Sequence, residues 1–107
     1  MKKYVVVHSE KVVQDIDDIY SYISVDLNNP KAAHDLYIKI KATIKSLEYS
    51  PKRFRLVDND NPNLIGVRIA HVGKYNIFYK IEDGHKVVLV LSILYSGVDI
   101  KKLKLDN

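Results

Sequence analysis

Lys52, Arg53 and Arg55 form a cationic patch as dense as any in the chain, and Arg68 and Lys74 follow it in the same half of the sequence. A guanidinium grips a phosphate bidentately, whereas a lysine offers a point charge. Together with a proton-transfer group, such cations suit metal-free cleavage of RNA. That reaction needs a base for the ribose 2′-hydroxyl, cations for the pentavalent phosphate and an acid for the leaving oxygen. Tyr95 is the candidate for acid, base or base-stacking, if neighbouring cations lower its ordinary pKa of about 10. Histidine is the side chain whose ordinary titration lies nearest neutrality, and His71 stands close to Arg68 in sequence, but strand alternation turns it to the Val67/Ile69 side or into a turn. Each residue also has a plain structural reading: a salt bridge from Arg68 to an acid such as Asp99, a solvated loop for Lys52, Arg53 and Arg55, and packing for Tyr95.

Other chemistries are poorly supplied. The chain has no cysteine, and its histidines, His8, His34, His71 and His85, lack ligand spacing, so neither a metal nor a cofactor is expected. No apolar run approaches the ~20 residues of a membrane span. No signal-peptide pattern follows Met1, so the cytoplasm is the expected compartment. The net charge of +4 is uneven: residues 1–50 hold seven lysines against seven acids, and residues 51–107 hold ten Lys/Arg against six acids. A basic second half attracts RNA or an acidic protein partner, although the same charge also serves solubility.

The elements that must position these residues are legible in the periodicity. Residues 3–8 are β-branched and aromatic and end at Ser9, a good helix N-cap, with Glu10 in the first turn. Val12, Ile16, Ile19, Tyr20, Ile23 and Leu27 then fall on one helical face, with Gln14, Asp15, Asp17, Asp18 and Ser21 on the other. Asn29-Pro30 caps and starts a second helix whose inner face is Ala33, Leu36, Tyr37, Ile40, Ile44 and Leu47, stopped at Ser50-Pro51. The short connection predicts an antiparallel helical hairpin. After a non-periodic loop, strands are expected over about Leu64–Val72, Lys74–Ile81 and Lys86–Tyr95, with turns at Gly73 and Asp83-Gly84. The last strand is apolar on both faces and belongs inside the sheet. Tyr75 and Tyr79 share a face with Ile77 and Ile81 and read as core. A short tail helix docking Ile100 and Leu103 is expected. The chain is thus a single α+β domain over residues 1–107, ordered β-α-α-β-β-β, with the hairpin packed on one face of a small antiparallel sheet.

This order resembles the RelE/ParE toxin superfamily over nearly the whole chain. The similar pieces are Asp15-Ile16-Asp17-Asp18-Ile19-Tyr20-Ser21-Tyr22-Ile23, Pro30-Lys31-Ala32-Ala33 and Ile44-Lys45-Ser46-Leu47-Glu48-Tyr49-Ser50-Pro51. They continue with Arg53-Phe54-Arg55-Leu56-Val57, Gly66-Val67-Arg68, Val72-Gly73-Lys74-Tyr75-Asn76-Ile77-Phe78-Tyr79 and Ile93-Leu94-Tyr95 with Asp99-Ile100. The long helical hairpin is more similar to the ParE branch. The resemblance implies a growth-inhibiting toxin of a type II toxin-antitoxin, or plasmid-stabilisation, module, neutralised by a cognate antitoxin in a hetero-oligomeric complex. RelE-like members cut mRNA in the ribosomal A site without a metal. ParE-like members poison DNA gyrase and have no known catalytic centre of their own. By this resemblance Arg68 matches the arginine of the second strand, Tyr95 the strand-end position that often holds a site residue, and Lys52, Arg53 and Arg55 the loop that carries RNA-contacting cations, with Lys74 a further contact to RNA or target.

The departures weigh on the choice. Where many relatives read Tyr-Gly-Arg-Arg-Asp, this chain reads Tyr95-Ser96-Gly97-Val98-Asp99, without either arginine, and the residues after Asp99 offer lysines but no aromatic or histidine. That favours a gyrase-directed toxin, or a weakened or inactive one, over a ribosome-dependent endoribonuclease. An apolar groove between hairpin and sheet that takes a partner helix is the remaining reading.

Overall fold

The computed structural model describes residues 3–57 and 60–97. The expected tail helix and the Asp99 partner for Arg68 lie outside the described residues. Strand β1 is Val5–His8, helix α1 Glu10–Ser21, α2 Pro30–Ser46, β2 Val67–Val72, β3 Tyr75–Glu82 and β4 Val87–Tyr95. The class is α+β, as expected, with the helices on one face of a four-stranded sheet.

Local chemistry accounts for most boundaries. Asn29 accepts the Ala32 N–H through its side chain at 3.1 Å, and Pro30 opens α2 where a missing N–H costs nothing. Ser9 has the extended backbone of an N-cap, yet its side chain makes no capping bond. Instead its carbonyl accepts from Val12 N–H at 3.1 Å. The first helix does not run straight into the connection: Tyr22–Asp26 widens into a π-helical turn, with Leu27 N–H donating to the Tyr22 carbonyl at 3.0 Å. Asn28 then takes a positive φ of 51°, a conformation asparagine tolerates better than most residues.

The expected strand over Leu64–Val72 starts later, because Pro62–Leu64 closes a short 3₁₀ turn and Gly66 enters β2 at φ 82°. Gly73, at φ 57°, makes the β2–β3 turn as anticipated. The Asp83-Gly84 signal marks the next turn correctly, but Lys86, not Gly84, takes the positive φ there, at 56°. The Glu82 carboxylate accepts the N–H groups of Gly84 and His85 at 3.1 and 3.2 Å, which holds the loop without a left-handed glycine.

The sheet order is β1-β4-β3-β2, so the doubly apolar β4 lies inside, as its composition requires. The sheet is mixed rather than wholly antiparallel: β1 pairs with β4 in parallel, Val5 opposite Val87 through His8 opposite Val90. The reason is connectivity. The hairpin returns the chain to the end of the sheet where β2 must run against β3, and β3 against β4, leaving β1 aligned with β4.

Both faces of the sheet carry core. Val12, Ile40, Ile44 and Leu47 from the helices meet Ala70, Val72, Ile77, Tyr79, Val88, Val90 and Ile93 in the larger cluster. Leu64, Val67, Ile69 and Phe78 form a smaller one on the opposite face. Val67 and Ile69 are therefore core, but beneath the loop rather than beneath the helices. Leu47 and Ile40 are almost wholly buried, and truncating either to alanine costs about 2–5 kcal/mol.

One polar contact crosses this core. The β3–β4 register shifts between Phe78 and Tyr79, which pair with Ser92 and Val90 and leave Leu91 as the extra residue of a bulge. Asp15 reaches across from α1 and accepts the Ile93 N–H at 3.1 Å and the Ser92 hydroxyl at 3.3 Å. Lys11 bonds both Asp15 and Ser92 at 3.0 Å. Periodicity assigned Asp15 to the solvent face; it lies instead at the flank of α1 and ties the helix to the bulge.

Candidate functional site

The expected site residues separate into two groups at opposite ends of the sheet. At the first end, the loop from Pro51 to Val57 lies along β2. Ile69 donates its N–H to the Arg55 carbonyl at 3.0 Å, and Val57 donates to the Val67 carbonyl at 2.7 Å. Arg68 faces the helix side, half-buried, and its Nη1 donates to the carbonyls of Phe54 at 2.7 Å and Lys52 at 3.2 Å. The buried Tyr79 hydroxyl donates to the Pro51 carbonyl at 2.6 Å. Burial pushes that hydroxyl up to about 12, against the pull of Arg68 and Arg53, so it serves as a donor and not as an acid near neutrality.

The loop cations are held by intramolecular bonds. Arg53 donates to the Ser46 and Ser50 carbonyls at 3.4 and 3.2 Å, closing the C-terminal end of α2, and lies 4.5 Å over the Phe54 ring. Arg55 donates to the Leu56 carbonyl at 3.4 Å. Lys52 pairs with Asp83 at 3.0 Å, and the Tyr4 hydroxyl donates to the same carboxylate at 2.8 Å. The Asp83 hydrogen bond raises the Lys52 pKa above its ordinary value, and Lys52, with Tyr4, lowers that of Asp83. Both shifts describe one exposed ion pair.

At the second end, Lys74 and Tyr95 come together. Ser96 donates its N–H to the Lys74 carbonyl at 2.8 Å, and the Tyr95 ring meets Tyr75 edge to face at 5.6 Å. Burial raises the Tyr75 hydroxyl pKa, with Tyr22 and Tyr95 adding to it. These rings and Lys74 line a groove of about 640 Å³ between the hairpin turn and the sheet, whose helical wall is Tyr22, Ile23 and Leu27, with Asp18 beside them. Tyr22, Leu27 and Tyr95, which line it, are exposed by 49, 54 and 47%. Sequence reasoning missed Tyr22. It falls off the inner helical face by 3.6-residue counting; its N–H still bonds the Asp18 carbonyl in the α-helical pattern, and it lies seven residues beyond Asp15 on the same flank of α1.

Arg68 and Tyr95 do not share a site. Arg68 pairs with Tyr79 on β3, and Tyr95 pairs with Tyr75, four residues further along the same strand. That is roughly 13 Å along the strands, with a further ~9 Å across two strand spacings. His71 sits on the far face with Val67 and Ile69 and is exposed, bonded to Asn76. Among the described residues no group of three His, Cys, Asp or Glu side chains is placed to hold a metal, and no helix is long and apolar enough to cross a membrane.

Against known proteins, the family model described as ParE toxin of type II toxin-antitoxin system, parDE, matches residues 6–99. A search of curated proteins by sequence returned no match. Among solved structures, the chain is similar to the chromosomal ParDE toxin-antitoxin system of Pseudomonas aeruginosa, with a TM-score of 0.70 at 20% identity over 89% of this chain and 98% of that one. It is similar to a chain of the RelBE2 toxin-antitoxin complex of Mycobacterium tuberculosis, with a TM-score of 0.60 at 19% identity over 87% and 98% of the two chains. The RelE-RelB complex of the archaeon Pyrococcus horikoshii gives 0.59 at 21% identity over 92% and 100%. Such identities carry the fold alone; the family rests on the match to its model, and the chain belongs to the ParE toxin family of type II toxin-antitoxin systems.

Proposed function

We propose that this ParE-family toxin arrests growth by binding a large cytoplasmic target such as DNA gyrase, and that a cognate antitoxin neutralises it in a hetero-oligomeric complex. One observation carries the reading: the phosphate-binding candidate Arg68 and the proton-transfer candidate Tyr95 stand at opposite ends of the sheet. A general acid or base must lie within about 3 Å of the proton it moves, while the cation must touch the same scissile phosphate. A separation of well over 10 Å along the strands defeats that geometry. The exposed tyrosines and Lys74 around the apolar groove suit a protein surface instead, because amphipathic rings anchor interfaces. Lys74 and Tyr95 are accordingly assigned to target contact. The antitoxin reading draws support from relatives whose structures are toxin-antitoxin complexes.

The deciding experiment adds purified protein to gyrase in a supercoiling assay. Inhibition is expected, and full gyrase activity at stoichiometric excess of the protein would retire the target. Clustered cations favour one second reading, a ribosome-dependent mRNA endoribonuclease using Arg68 with Lys52, Arg53 and Arg55. In a translation extract it requires Arg68→Ala to abolish cleavage. Growth unaffected by induced expression would leave an inactive or plain interaction domain.

A further inference from the structure

We propose that the outer face of β1 and β4 is a docking surface for a second copy of this chain, joined across a two-fold axis into a weak dimer. The face of the sheet turned away from the helices is covered unevenly. Over β2, Leu64 and Val57 from the preceding loop pack with Val67, Ile69 and Phe78. Over β1 and β4 that cover stops, and Val5, Val7 and Leu89 are exposed by 63, 43 and 43%. Strand alternation puts these three on the outer face with Val87, because Tyr4, Val6, Val88 and Val90 belong to the helix-side cluster. Register makes them neighbours: Val5 stands opposite Val87, and Val7 opposite Leu89. Single exposed aliphatics are ordinary, but a contiguous group of them marks an association surface.

Charge identifies the occupant. The same two rows continue onto β3, with Glu82 opposite Val87 and Lys80 opposite Leu89. Both side chains share the outer phase of β3 with Phe78, and two residues of strand set them about 7 Å apart. Lys80 makes no ion pair among the described residues. The Glu82 carboxylate is 56% exposed and is fixed by the N–H groups of Gly84 and His85. The His85 ring is the chief cause of its lowered pKa, so it remains an anion. A partner of one sign would be attracted by one of these groups and repelled by the other, whereas a second copy satisfies both at once.

The two-fold axis lies between the stacked sheets, runs across the strands and passes midway between the two rows. Each Lys80 then meets the partner's Glu82, Leu89 lies over the partner's Val87, and Val7 over the partner's Val5. Face-to-face sheets stand roughly 10 Å apart, a gap that a lysine and a glutamate reaching from opposite sides span. Strand twist sets the two sheets about 30° from alignment, which leaves these central rows in contact. The aliphatic side chains and the ion pairs beside them cover much less than the ~800 Å² per partner of a standard interface. Association is therefore weak, with a dissociation constant on the order of 100 µM. The groove lined by Tyr22, Tyr75 and Tyr95 stays open in such a dimer, so the inference goes beyond the proposed target and does not depend on it.

Sedimentation equilibrium of the full chain, from about 10 µM to about 2 mM, should show the average mass rise from 12.3 kDa towards twice that value. Methyl NMR signals of Val5, Val7, Val87 and Leu89 should shift over the same range, while those of Val25, 73% exposed at the hairpin turn, should not. Leu89→Ser removes an exposed contact and should weaken association by about tenfold or more. Lys80→Glu and Glu82→Lys each set like charges against each other across the axis and should do the same. Mixed in equal amounts, these two variants restore both opposite-charge pairs, so a mixed dimer should form within about threefold of the parent's affinity. That complementation reports the pairing even if Glu82→Lys loosens its own turn. The proposal is overturned by a monomer at the highest concentration, by concentration-dependent shifts centred on Val6 and His8 or on Tyr22 and Tyr95, or by charge variants that associate no better mixed than apart.

Discussion

Replacing Asp15 by alanine should destabilise the fold far more than the surface position suggested by helical periodicity would allow. Its carboxylate is only 17% exposed and receives Lys11 at 3.0 and 3.2 Å. It also receives the Ile93 N–H at 3.1 Å and the Ser92 hydroxyl at 3.3 Å. Hydrogen bonds to a charged group contribute about 1.5–3 kcal/mol each, and an orphaned buried donor costs about 1–3 kcal/mol. The contributions do not add, because Ser92 keeps Lys11 as a partner and Lys11 is itself 35% exposed and regains water. The Ile93 N–H has no such recourse: it faces the β1 side of β4, where β1 has already ended at His8 opposite Val90, so the ladder supplies no other acceptor. Asp15→Ala is therefore expected to cost about 3 kcal/mol. Asp15→Asn keeps one acceptor oxygen for Ile93 and Ser92 but loses the charge and the second oxygen that Lys11 also bonds, for about 1–2 kcal/mol. Urea unfolding at neutral pH reads both, and a cycle with Lys11→Met isolates the ion pair. An alanine variant within about 0.5 kcal/mol of the parent, the usual range for surface positions, or an asparagine variant as damaged as the alanine, would refute the assignment.

Arg68→Ala should cost about 1–3 kcal/mol and speed exchange of loop amides near Phe54, because the carbonyls of Lys52 and Phe54 lose their donor; unchanged exchange there would contradict this. Tyr79 has a folded pKa of about 12, above its ordinary 10.0, so its contribution is complete below pH 10 and is lost as pH rises towards 12. Tyr79→Phe should accordingly flatten the loss of stability across that alkaline window, as measured by urea unfolding at successive pH values. Lys52→Met should move the Asp83 carboxyl back up towards its ordinary 3.8, because Lys52 is the largest cause of its depression; carboxyl chemical shifts during an acid titration report this directly. Under the proposed function, the Lys74→Ala/Tyr95→Ala double variant should lose target inhibition by at least about tenfold with its urea midpoint nearly unchanged, since Tyr95 is half exposed and loss of an interface anchor costs about 2 kcal/mol.

Amphipathic spacing and end signals made both helices and all four strands readable, and the doubly apolar Val87–Leu94 run placed β4 inside the sheet. Three features did not follow from local pattern. The π turn at Tyr22–Asp26 adds a residue to the helical repeat, so a strict 3.6 count no longer holds for the residues that follow it. The bulge at Leu91 breaks strand alternation, and β1 ends opposite Val90, so the Ile93 N–H beyond it is left for Asp15, a polar residue at the helix flank, to accept. The partition of Arg68 from Tyr95 depends on register and strand order, and neither is encoded within a single strand. The candidate residues were thus identifiable by type, while their grouping required the sheet.

Under the proposed function, that grouping separates attraction from recognition. A backbone carbonyl satisfies a guanidinium's N–H groups but does not neutralise its charge. Arg53, Arg55 and Arg68 bond carbonyls and have no acidic partner among the described residues, whereas Lys52 has Asp83. The loop is consequently a fixed cationic surface, ordered by Arg68 and Tyr79, with most of its field intact. Such a field raises association rates and falls with ionic strength, while dissociation is governed by buried, desolvated contacts. Under the proposed function, the groove between Tyr22, Tyr75 and Tyr95 would supply contacts of the second kind at the far end of the sheet. Under the proposed function, charge removal at Arg55 should therefore slow binding to the target and weaken its salt dependence, and truncation at Tyr95 should shorten the lifetime of the complex.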